Sequence, residues 1–104
     1  MNQFSEYEKR TILHLLTMIM EADTVIHPKE VEYIKSLMKD FGLSTAEFDH
    51  MEMLDFDVLK NEFKMMDVEK QKIAKKYFVE MSKVDGFIHK NELKIINDLQ
   101  VTNQ

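Results

Sequence analysis

Sliding the sequence by 62 residues lays Asp23-Thr-Val-Ile-His-Pro-Lys-Glu30 over Asp85-Gly-Phe-Ile-His-Lys-Asn-Glu92, and Asp, Ile, His and Glu coincide at four of the eight positions. The apolar register holds on both sides of this match. Upstream, Leu15, Leu16 and Ile19 fall on Tyr77, Phe78 and Met81; downstream, Ile34 falls on Ile96 and Leu37 on Leu99. Apolar residues three and four apart line one face of a helix. Each copy therefore reads as a long helix, a short acidic turn and a second helix. Two such units bury their apolar faces against each other, which predicts an all-α bundle with an internal pseudo-two-fold helix–turn–helix repeat.

Local signals agree. Ser5 and Glu8 form a capping-box pattern ahead of Ile12, Leu15, Leu16, Ile19 and Ala22, and Leu13 and Met20 widen that apolar face enough for a central helix. Pro28 suits the first position of the next helix, with His27 as its cap, Val31, Ile34, Leu37, Met38 and Phe41 on its buried face, and Gly42 ending it. Ser44 with Glu47 opens a short segment carrying Phe48, Met51 and Leu54, and Asp57 is expected to cap a second short helix with Leu59 and Phe63. Asp67 begins a long helix with Ala74, Tyr77, Phe78 and Met81 on one side and Lys70, Lys72, Lys75 and Lys76 on a solvated face. Gly86 breaks it, and a last helix from about 90 to 99 carries Leu93, Ile96 and Leu99. Six helices and no strand are expected in one domain spanning 1–104, with repeat units at about 5–42 and 67–100 and short helices within 44–64.

Composition narrows the function. With two Gly and one Pro in 104 residues, the chain lacks the turns an all-β domain needs. A net charge of −5 argues against nucleic acid, whose phosphates need a basic face. The absence of Cys excludes disulfides, thiolate zinc sites, iron–sulfur clusters and cysteine nucleophiles. The longest apolar-rich run, 12–20, is nine residues and contains His14 and Thr17. It falls short of the roughly 20 residues that span a bilayer, so no direct membrane insertion is expected. The first residues carry no basic stretch of a secretory signal, and a cytoplasmic location is expected.

Asp-Gly-x-Ile-x-x-x-Glu at the junction of two helices, present complete at 85–92 and with Thr24 in place of the glycine at 23–30, resembles the TerB-like family. That family includes tellurite-resistance proteins, and the N-terminal domain of the co-chaperone DjlA is similar. The resemblance implies an all-α fold, no enzymatic activity, and acidic clusters that bind metal ions within bacterial stress-response or membrane-associated assemblies. Thr24 departs from the pattern: a β-branched residue tolerates positive φ poorly, so the first turn is expected to differ in geometry from the second.

Two readings of the turns follow. In one, Asp23, Glu30, Asp85 and Glu92 supply oxygen ligands to one or two divalent cations, Ca²⁺ or Mg²⁺, and His27 and His89 add nitrogen ligands that admit Zn²⁺. The spacing is not that of an EF-hand, whose 12-residue loop draws on six ligand positions. In the other, the same residues build the joint: Glu30 and Glu92 act as capping-box carboxylates, His27 and His89 as caps, Asp23 and Asp85 as turn holders, and Ile26 and Ile88 as hydrophobic staples.

No Gly-rich phosphate loop is possible with only Gly42 and Gly86, no Ser or Thr sits in a nucleophile-elbow context, and no enzyme is expected. Nine Met residues stand out. Met51, Met53, Met65 and Met66 cluster in the middle segment, either filling gaps beneath short helices or forming an apolar surface that docks a protein partner without metal.

Overall fold

Ser5 starts the first helix as expected. In the computed structural model, its hydroxyl accepts from the Glu8 amide at 3.1 Å and the Glu8 carboxylate accepts from the Ser5 amide at 2.8 Å, so two of the helix's orphan donors are satisfied reciprocally. The structure describes residues 4–23, 27–46, 54–86 and 88–101, with the Asp23 side chain outside that set. These hold five α-helices and no strand: α1 (Glu6–Met20), α2 (Pro28–Asp40), α3 (Phe56–Met65), α4 (Val68–Ser82) and α5 (Lys90–Asp98), with a 3₁₀ turn at Glu21–Asp23. The expected helix opened by Ser44 and Glu47 falls largely on 47–53, outside the described residues, as do Thr24 and Ile26.

The wide apolar face of α1 makes it the axis of the bundle. Ile12, Leu13, Leu15, Leu16 and Ile19 are fully buried, and α1 packs against each of the other four helices. Each such side chain contributes about 1.5–3 kcal/mol through burial. Around it close Leu59 and Phe63 from α3, Ala74, Phe78 and Met81 from α4, and Ile96 with Leu99 at the end of α5. Phe63 and Phe78 meet with ring centroids 5.9 Å apart. No described helix is long and apolar enough to cross a membrane.

The end of α2 shows why Gly42 is where it is. The Leu43 amide donates to the Met38 carbonyl and the Gly42 amide to the Lys39 carbonyl, each at 3.0 Å, with Gly42 at φ 77°. That paired arrangement requires a left-handed residue after the cap, which glycine adopts without a Cβ penalty.

Three local expectations change. The cap of α3 is Asp55, and Asp57 lies in the first turn, where its charge favours the helix N-terminus. Leu93 is 42% exposed rather than core. The lysine face of α4 is not simply solvated: Lys70 pairs with Glu8 at 3.0 Å, and Lys75 donates to the Ile96 and Leu99 carbonyls at 2.7 and 2.9 Å, closing the C-terminus of α5.

Candidate metal centre

His27 precedes Pro28, and the proline ring holds its backbone extended, at φ −104° and ψ 111°. Its carbonyl accepts from the Glu30 and Val31 amides, but its side chain makes no capping bond. The imidazole turns instead toward the α4–α5 junction, where Nδ1 lies 3.3 Å from Asp85 Oδ2.

The junction is shaped by Gly86. Its amide donates to the Lys83 carbonyl at 2.8 Å and its φ of 101° reverses the chain. That reversal sets Asp85 beneath His89, whose Nε2 is 3.8 Å from the same carboxylate oxygen. His89 is the N-cap residue of α5 and, like His27, makes no side-chain capping bond. The two imidazoles stack with ring centroids 4.3 Å apart and planes 21° from parallel. One carboxylate therefore faces two histidines drawn from opposite ends of the chain.

One helical turn further in, Glu30 and Glu92 are each fully buried. No amide or hydroxyl of the described residues donates to either oxygen of Glu30. The group it meets is the Glu92 carboxyl, and two carboxyl groups hydrogen-bond only through a proton. Burial, then the hydrogen bond with Glu92 and repulsion from its charge, push the Glu30 carboxyl up to about 8 from its ordinary 4.5, with nearby Asp85 adding to the rise and His27 opposing it. Glu30 does not act as a capping-box carboxylate, and the side chains of His27 and His89 make no cap bond at the starts of α2 and α5. Ile88, by contrast, packs half-buried against the core.

Five of the six expected ligand residues thus converge. One donor atom each from His27, Asp85 and His89 lies within 4.8 Å of the others, and the same holds for His27, Glu30 and Glu92. The side chain of Asp23 lies outside the described set. The Met residues do not gather in the same way: Met65 is 83% exposed, Met66 is buried in the core, and Met51 and Met53 lie outside the described residues.

A second concavity carried no signal in the sequence. A groove of about 480 Å³ runs between α2 and α4, lined by Tyr33, Ser36, Asp40, Ile73, Tyr77 and Glu80. The Tyr33 hydroxyl donates to Glu80 at 3.0 Å across 47 positions of sequence, a pairing no local motif encodes.

No protein-family model matches the chain, and neither a curated protein nor a solved structure matches it.

Proposed function

We propose that the protein is a non-enzymatic, TerB-like helical module that binds a divalent cation where its two acidic turns meet. The observation that carries this reading is the convergence of His27, Asp85 and His89 with the buried Glu30 and Glu92. Nothing in helix capping calls for two glutamates to be buried against each other, whereas a cation between carboxylates would offset the repulsion that otherwise requires a proton.

The duplication supports the same reading. The stacked residues are the matched histidines, the facing carboxyls are the matched glutamates, and the matched Ile34, Ile96, Leu37 and Leu99 are all buried. A pseudo-two-fold axis through the centre would bring like residues together in this way.

Donor chemistry selects among the ions. Ca²⁺ and Mg²⁺ take oxygen ligands, whereas two imidazoles with three carboxylates suit Zn²⁺ and its first-row neighbours. By its resemblance to TerB-like proteins, such a module would work in a bacterial stress-response or membrane-associated assembly, through a protein partner.

A two-dimensional NMR titration of metal-free protein with Zn²⁺, Ca²⁺ and Mg²⁺ tests the reading. Saturable shifts at 27–30 and 85–92 with Zn²⁺ are expected, and a flat response to all three at millimolar ion overturns it. The competing reading, a metal-independent adaptor, draws on the exposed thioether of Met65 and weakens with the burial of Met66.

A further inference from the structure

We propose that the groove between α2 and α4 docks a basic segment of a protein partner, an extended stretch that sets one arginine on Glu80 and a second on Asp40. The groove shares no residue with the metal centre, and its occupant does not depend on a cation there.

The walls come from two antiparallel helices. Tyr33 of α2 donates to Glu80 Oε1 of α4 at 3.0 Å, and Phe41, just past Asp40, meets Tyr77 with ring centroids 6.1 Å apart. Residue numbers therefore rise along one wall as they fall along the other. Glu80 stands at the Tyr33 end and Asp40 toward the opposite end, about 10 Å of helix rise away, with Tyr77 between them. The Tyr77 hydroxyl registers both acids. Burial first, then repulsion from Asp40 and from Glu80, holds its proton above the ordinary tyrosine range.

The charges of this trough are not balanced from within. No lysine or arginine lines it. Among the described residues no cation pairs with Asp40, and the counter-ion of Glu80 is Lys76, 4.0 Å from Oε2 and 72% exposed, a loose surface pair that is easily displaced.

Shape and surface select the occupant. The separation of the two acids prevents one cation from bridging them. The lip is open, with Ser36, Asp40, Ile73 and Glu80 exposed, whereas pockets for small molecules bury most of the ligand. An extended chain rises about 3.3 Å per residue and sends alternate side chains to one face, so arginines two residues apart can splay to the two ends. Guanidinium forks onto a carboxylate and stacks on a tyrosine ring, while its methylenes lie along Leu37 and Ile73. The aromatic lining is already set: Phe4 and Phe41 brace Tyr77 at 6.4 and 6.1 Å, and Tyr33 is tied to Glu80, so little side-chain freedom is lost on docking. A second copy of the chain, at net charge −5, repels this face, whereas a basic partner is drawn to it.

The test uses the full chain with a chelator present, at physiological salt, followed by two-dimensional amide NMR. The end-blocked peptide Gly-Arg-Leu-Arg-Gly is expected to shift residues 33–40 and 73–80 saturably. The same peptide with citrulline for arginine, neutral and of similar shape, should leave them unmoved. Asp40→Asn with Glu80→Gln should weaken binding roughly tenfold or more, the scale of a lost charge-assisted hydrogen bond. Glu6→Gln with Glu69→Gln removes two acids that do not line the groove and should not. All four positions are exposed, so both double variants should keep the wild-type pattern of amide signals elsewhere. No shift, shifts outside the groove, an equal response to the citrulline peptide, or equal weakening in the control pair overturns the docking site. Free arginine binding as tightly as the peptide also overturns it, and makes the groove a small-molecule site.

Discussion

Glu30 and Glu92 stand 62 positions apart in the chain, yet both are fully buried and their carboxyl groups meet at the starts of α2 and α5. In the metal-free protein that meeting is tolerable only with a proton between them. Buried titratable pairs whose protonation is perturbed in this way are candidates for functional sites, which is the ground for the cation proposal above.

The first prediction concerns pH. The Glu30 carboxyl keeps its proton to about pH 8 when folded but releases it near 4.5 when unfolded. Its contribution to stability is therefore complete below pH 4.5 and declines as the pH rises through about 8. Thermal unfolding of metal-free wild type and Glu30→Gln, compared at pH 5 and pH 8, checks it. The glutamine keeps the shape of the neutral acid and donates to Glu92, so the variant should be more stable than wild type at pH 8 by on the order of 1–3 kcal/mol, and near wild type at pH 5. The comparison cancels His14, whose burial lowers its affinity for protons in both proteins.

Zinc should reverse that slope. A cation binds deprotonated carboxylates and neutral imidazoles, so its stabilisation grows as the pH rises from 5 to 8. At a free Zn²⁺ concentration 100 times the dissociation constant the gain is about 2.7 kcal/mol. His27→Ala removes the one side chain common to both donor sets and should abolish most of the gain, while Leu93→Ala, at an exposed position of α5, should leave it intact. Differential scanning calorimetry with and without Zn²⁺ separates the two.

How much of this was legible can be argued from individual residues. Ser5 and Glu8, the apolar stripe of α1, and Gly42 behave as their local signals require, because capping, periodicity and positive φ depend on neighbours within a few positions. The candidate ligands were also visible as residue types at matched positions. Their pooling into one centre was not, because the approach of His27 to Asp85 depends on how the α1–α2 and α4–α5 junctions come together, which no short window contains. For the same reason the capping reading of Glu30 fails. Its spacing from His27 fits a capping box, but tertiary packing turns the carboxyl inward to Glu92. Lys75 shows the same limit, reading as solvated along α4 while closing the end of α5.

Gly86 and Gly42 offer a matched pair of backbone tests. Both have positive φ, at 101° and 77°, and a Cβ added at either would meet no atom within 4 Å. The cost of Gly→Ala is therefore conformational rather than steric, about 1–2 kcal/mol at each site by chemical denaturation. The two variants should part in Zn²⁺ affinity. Gly86→Ala disturbs the turn that sets Asp85 beneath His89 and should weaken binding at least tenfold by calorimetric titration, whereas Gly42→Ala, at the far end of α2, should not.

Met65 and Met66 are adjacent in sequence and opposite in environment, which makes them the sharpest probe of the methionine cluster. Met66, in the α3–α4 junction, is buried in the core at 6% exposure, and truncation to Ala opens a cavity costing about 2–5 kcal/mol. Met65, at 83% exposure, has nothing comparable to lose, and Met65→Ala should fall within about 0.5 kcal/mol of wild type. Urea unfolding of the two variants decides the point. Because Met65→Ala leaves the fold intact, loss of a captured protein partner in that variant alone would assign a docking role to the α3 surface. Retention would return the methionines to packing, and the turns between α1 and α2 and between α4 and α5 would remain the place where the fold departs from what stability alone asks of it.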